Sequence, residues 1–316
     1  WAADPAARVG LTDIEVPAHW SRTAAQTFVH YYIRRAGVPA KTLRVPEDGM
    51  PEFLWCAVPD TAALQAMPEE QRTSHETSAR QVFLRLAGMW TYWGFKCGYF
   101  DTEADARSFH DEIAAMLARQ VMAPNSPQWF NTGLHWAYGL RGPAQGHCYG
   151  DHETGKLKLS SNAYARPQLH ACFLHSVRDE LVSEGGIMHL FEREMRAFKF
   201  GSGAGANMSA IRGRGEELSS GASALGLMRF LTIGDKAAGA IHSGGLPRRA
   251  GKMVVIDIDH PDVVSFIRWK GEEQYKIAAL ITGARVMRKY LSGVMAAVQT
   301  RQSDARYDPK HNTALA

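Results

Sequence analysis

The chain has 316 residues, of which 45% are hydrophobic and 22% charged, and it carries a formal net charge of +4 at neutral pH. That is apolar mass for two domains, or for one large α/β domain with an extension. So slight a positive charge gives no reason to expect direct nucleic-acid binding. No apolar run reaches the roughly 18 to 20 residues that cross a bilayer, and the opening "WAADPAARVG" lacks a basic segment followed by an apolar leader. Cys56, Cys97, Cys148 and Cys172 are scattered without C-x-x-C spacing. This argues against a zinc ribbon and a disulfide scaffold, and for a cytoplasmic protein with reduced thiols.

Residues 1 to about 75 read as irregular, with one helix near Ala24 to Arg35. The spacing of Val82, Leu84, Leu86, Met89 and Trp93 predicts a helix over 78–93. A second opens at "DTEAD", where Thr102 can cap and Asp105 can reach back, and runs to about Val121. A mainly helical domain over 1–122 follows. "NSPQWFNTGLHWAYG", Asn125 to Gly139, is aromatic, glycine-broken and non-periodic, and reads as a loop.

From Ala171 the pattern alternates. "ACFLHSV" reads as a strand and Ile187 to Phe198 as a helix. "KMVVIDI" reads as a buried strand, and "DHPDVVSFIRWK" as a helix with Pro261 near its start. "KIAALITG" reads as another buried strand, and Val286 to Gln299 as another helix. Such alternation implies parallel pairing with right-handed crossovers, in a second domain over 123–316.

Between these elements lies "FGSGAGANMSAIRGRG". A dinucleotide fingerprint must follow a strand and open a helix, whereas these glycines follow a helix. With no Gly-Lys-Ser/Thr it is not a P-loop either. Spaced glycines followed by Arg212 and Arg214 read as a loop that contacts phosphate or ribose, in preference to a glycine C-cap and turn, which would explain Gly201 alone. "IHSGGLPRRAGK", Ile241 to Lys252, repeats that chemistry, and two such loops suggest two nucleotides.

"NSPQWFNTGL", "GPAQGH", "ACFLHSVRDELV", "FGSGAGANMSAIRGRGEELSSG", "GLMRFLTIGDKAAGAIHSGG" and "RRAGKMVVIDIDHPDV" together resemble the large subunit of ribonucleotide reductase, in its adenosylcobalamin-dependent branch. The likeness runs from about residue 80 to the end. It implies an α/β fold: a helical domain followed by the first half of the family's ten-stranded α/β barrel. It also implies a ribonucleotide substrate, adenosylcobalamin as cofactor, a (d)NTP allosteric effector, a thioredoxin-type reductant and a homodimer.

Residue by residue, the resemblance makes Cys172 the first member of the redox pair that reduces the ribose 2′ position. It sets Ser126, Ala171, Cys172, Ser202 and Gly203 against the substrate. It gives Asp179, Glu180, Leu181 and Arg212 to the effector, with Ser243, Gly244, Gly245 and Arg248 in the loop reporting effector identity. Cys56, Cys97 and Cys148 read as inert. The family's Asn-x-Cys-x-Glu radical motif and its second redox cysteine do not occur in these residues. The expectation is therefore an N-terminal fragment, catalytically inactive by itself. The competing expectation is a nucleotide-binding regulatory or assembly module without chemistry. A flavin or nicotinamide oxidoreductase is disfavoured by the order of helix and glycines.

Overall fold

The computed structural model describes residues 2–4, 14–241 and 250–300. The chain divides into two compact units. One holds the residues up to Arg212 together with Arg229–Ile256, and the other holds Gly213–Met228 with the residues from Asp257 on.

In the first unit, β1 (Ala2–Asp4) pairs antiparallel with β2 (Ile14–Val16). Helix α1 (Arg22–Tyr31) is capped by Ser21, whose side chain accepts the Ala24 N–H. The stretch to residue 75, expected to be irregular, holds short ladders: β3 (Val38–Pro39), β4 (Thr42–Arg44), β5 (Ala57–Pro59), α2 (Thr61–Gln65) and β6 (Thr73–Ser74). Strands of two or three residues are too short to show a two-residue period, so the sequence gives no sign of them.

Two longer helices follow, α3 (Ala79–Lys96) and α4 (Glu103–Ala118). Each begins with a complete capping box, Ser78 with Gln81 and Thr102 with Asp105, the second as the sequence predicts. Val82, Phe83 and Leu86 of α3 bury themselves against Phe28 of α1, Leu117 of α4, and Trp129 and Phe130 further on. Beside this core lies a fully buried ion pair. The Arg85 Nε donates to Glu76 Oε1 at 2.7 Å, and its two terminal nitrogens reach the carbonyls of Thr132 and Trp129. Tyr138 donates to the same carboxylate at 2.9 Å.

The segment expected to be a loop at Asn125 to Gly139 is instead two short helices, α5 (Ser126–Asn131) and α6 (Leu134–Tyr138). Asn125 caps the first. Gly133, at φ +79°, turns the chain into the second, at a point where an added Cβ would collide with the Arg85 backbone. Each is too short for a helical period, and the core and Arg85 hold them in place.

A hairpin of β7 (Cys148–Gly150) and β8 (Leu157–Leu159) leads to the sheet. There β9 (Cys172–His175), α7 (Ile187–Lys199), β10 (Gly203–Asn207), α8 (Leu227–Ala240) and β11 (Lys252–Val255) form two successive strand–helix–strand units. All three strands are parallel, in the order β11-β10-β9. This is the pairing expected. The glycine run is not a loop throughout, however: Gly203 to Asn207 form the central strand, and Gly201, at φ +81°, turns the chain out of α7. Tertiary contact explains the choice. A Cβ at Gly205 would lie 3.0 Å from Met253 and 3.1 Å from Leu174, so the missing side chains make room for neighbours across the sheet.

In the second unit, Asp262 precedes α9 (Val263–Thr300). Its carboxylate accepts the backbone N–H groups of Arg214 and Leu227, while its carbonyl accepts that of Phe266. The strand expected at "KIAALITG" is instead part of this 38-residue helix, as is the separate helix expected at Val286. An apolar run of this length does not tell buried strand from helix. A strand needs a neighbour for its backbone groups, whereas a helix satisfies them within itself.

Candidate active site and nucleotide-binding residues

Cys172 opens β9 and lies in register with Gly203 of β10. The thiol is exposed. A Cβ at Gly203 would come within 3.3 Å of its Sγ and 3.3 Å of the Gly251 carbonyl, so the bare glycine leaves the sulfur its space. The Ala171 carbonyl accepts the Gly203 N–H at 2.6 Å. Ser202 is buried, and its hydroxyl donates to the His170 carbonyl at 2.6 Å. These bonds tie the start of β10 to the residues just before the thiol.

Asn131 completes the arrangement. Its side-chain amide donates to the carbonyls of Gln168 and Phe200, both at 3.0 Å, linking the end of α5 to the approach of β9 and to the turn after α7. Ser126 opens that same α5 and is half-buried. The residues expected against a substrate are thus gathered on three connected segments. Asn131 itself was not singled out in the sequence; its place directly after the buried aromatics Trp129 and Phe130 is the available signal, since a polar side chain there needs partners.

On the face of the sheet that carries the thiol stand Cys172, Leu174 and Met253. The other face carries Phe173 and His175, which stack on each other, and packs α7. Buried Glu194 of α7 reaches Lys252 of β11 at 2.7 Å, and burial pushes the Glu194 carboxyl up despite that ammonium. Burial also lowers His175, helped by the Arg193 charge.

Asp179 and Arg212, expected on one effector, are brought together: the Arg212 Nε donates to Asp179 Oδ2 at 2.5 Å. Asp179 does not cap a helix, since α7 begins only at Ile187. Glu180 and Leu181 lie beside it in the turn before α7, with exposed side chains. Their carbonyls accept the N–H groups of Ile187 and Met188. Ser243, Gly244, Gly245 and Arg248 lie outside the described residues.

Residues 4–120 match the family profile for the class II vitamin B12-dependent ribonucleotide reductase N-terminal region, and residues 170–313 match that for the ribonucleotide reductase barrel domain. Proteins named vitamin B12-dependent ribonucleotide reductase from Bradyrhizobium diazoefficiens and Agrobacterium fabrum are 55% and 56% identical over 307 residues, which is 96% of this chain and 24% of each relative. One of the same name from Rhodopirellula baltica is 35% identical over 85% of this chain and 22% of its own length. The chain belongs to the ribonucleotide reductase family, in its class II, vitamin B12-dependent branch. The parallel strands from Cys172 on are part of that family's α/β barrel domain. The chain spans about a quarter of the length of these relatives. Among the described residues no helix is long and apolar enough to cross a membrane.

The branch uses adenosylcobalamin. On the thiol face, Leu174 and Met253 are more than half exposed, and these residues form no closed apolar slot of corrin size. The described residues do not by themselves fit that group.

Proposed function

We propose that this chain supplies the reducing thiol and the nucleotide-recognition residues of a B12-dependent ribonucleotide reductase. The observation that carries the reading is the exposed Cys172 thiol in register with a side-chain-free Gly203, beside the hydrogen-bonded Ser202 and Ala171. A ribose stacked over the glycine would lie against the sulfur. Cys172 and a second thiol elsewhere in the longer protein give up two electrons and two hydrogens. The ribose 2′-hydroxyl leaves as water, C2′ gains hydrogen, and a disulfide closes between the sulfurs. A thioredoxin-type dithiol would reopen it.

In this reading Ser126, Ala171, Ser202 and Gly203 hold the ribonucleotide. Asp179, Glu180, Leu181 and Arg212, with Ser243, Gly244, Gly245 and Arg248, hold a (d)NTP effector. The guanidinium of Arg212 suits a triphosphate, as a planar fork matches phosphate oxygens. A homodimer, a cytoplasmic setting and a domain division near residue 122 belong to the same proposal. The profile matches that stop at 120 and resume at 170 support the division.

The decisive experiment replaces Cys172 with serine in the full-length protein. Dithiol-driven turnover should fall to background while nucleotide binding stays intact. Undiminished turnover would remove the assignment.

A further inference from the structure

A cavity of about 1060 Å3 lies between α3, the β7–β8 hairpin and the approach to β9, and it is not the site just described. The two border on each other at Gln168 and His170, whose carbonyls accept from Asn131 and Ser202, but neither Cys172 nor Gly203 lines the cavity. Side chains alternate along β9, so Phe173, which lines the cavity, points away from the face on which Cys172 meets Gly203. Neither Asp179 nor Arg212 reaches it.

The walls have a consistent chemistry. Trp93 of α3 and Phe173 of β9 are half-buried rings from two different elements, each with part of its surface open to the cavity. Tyr92 also lines it. Its hydroxyl donates to Glu47 at 3.0 Å, and burial pushes it up to about 12, so it remains a neutral ring at physiological pH. Lys96 is neutralised by Glu47 at 2.6 Å. Arg166 differs: it is exposed, rests 4.6 Å over the Tyr149 ring, and has no carboxylate partner within ion-pair distance among the described residues; of the two acids that also line the cavity, Asp151 is held by Lys158 at 2.7 Å and Glu153 is exposed. Aromatic surface beside an uncompensated guanidinium selects a planar ring that carries an anion. The volume is at the upper end of small-molecule sites, with room for a base, a ribose and a phosphate.

We propose that this cavity is a further nucleoside-phosphate site, with the base against Trp93 and Phe173 and the phosphate at Arg166. It is separate from both the thiol and the Asp179–Arg212 pair. A ligand here would touch α3 and β9 together, and so join the helical N-terminal region to the strand that bears Cys172.

The test titrates AMP, by calorimetry, into the full-length protein and three variants. AMP should bind the parent and Arg212→Ala alike. Arg166→Ala and Trp93→Leu should each bind about tenfold more weakly or worse, by loss of a charge-assisted bond and of a stacking face. Arg166 is exposed, so its variant tests the site without disturbing the core. Absence of AMP binding by the parent, binding by either cavity variant as tight as the parent's, or loss of binding in Arg212→Ala would overturn the proposal.

Discussion

Arg212 and Asp179, 33 residues apart in sequence, meet at 2.5 Å. Arg212 follows β10 and Asp179 follows β9, so two adjacent parallel strands deliver the pair to one end of the sheet. Without a ligand, each satisfies the other. An arriving triphosphate would compete for the guanidinium, while the carboxylate, freed, could accept from a nucleoside hydroxyl.

Arg212→Ala is therefore expected to weaken deoxynucleoside triphosphate binding about tenfold or more, by removing a bidentate phosphate contact. Both side chains are partly exposed, so the pair itself is worth at most about 1 kcal/mol and the melting temperature should hardly move. Parallel calorimetry and thermal melts of the full-length protein check both halves.

The buried network around Arg85 should behave in the opposite way. Arg85→Met leaves the Glu76 carboxylate buried without its cation and frees the carbonyls of Trp129 and Thr132. Losing one member of such a pair costs about 3–5 kcal/mol. Urea unfolding should register that loss, and a smaller one when Glu76 is replaced by leucine in the same chain.

Gly133 tests the backbone beside the same network. An added Cβ would sit 2.2 Å from the Arg85 carbonyl oxygen, at a φ of +79°. Strain and clash act together, so Gly133→Ala should destabilise by roughly 2 kcal/mol or more. A melting temperature equal to the parent's would contradict the packing described.

Acid stability carries a sign that can be checked. Burial lowers His147 and His175 from 6.5 in the folded chain. The unfolded chain thus binds protons first as pH falls below 6.5, and stability drops until the folded imidazoles also titrate. His147→Gln and His175→Gln should each flatten the fall of melting temperature across that window, with little change above pH 7.5.

Local chemistry was legible wherever an element carried its own signals. The Thr102–Asp105 capping box announces α4, and the apolar stripe from Ile187 to Phe198 announces α7 almost to the residue. Strand and helix in alternation announce the parallel pairing of β9, β10 and β11. The candidate thiol was legible through resemblance alone, since a lone cysteine in a strand carries no mark of reactivity. The network of Glu76, Arg85 and Tyr138 was not legible, because its members lie 62 residues apart at the extremes and are joined only in space.

What the sequence by itself determined is the family, the order of the principal helices and strands, and which residue types are available for phosphate and redox work. These rest on capping, periodicity and long ordered motifs, all properties of neighbours along the chain. Only the tertiary structure decided that the glycines of 203–207 form a central strand, and that "KIAALITG" winds into a helix. It also paired Asp179 with Arg212 and set Phe173 on the opposite face from the thiol. Each of these depends on what lies across the sheet or across the core. A backbone group or a charge takes the partner that space supplies, and sequence distance does not encode it.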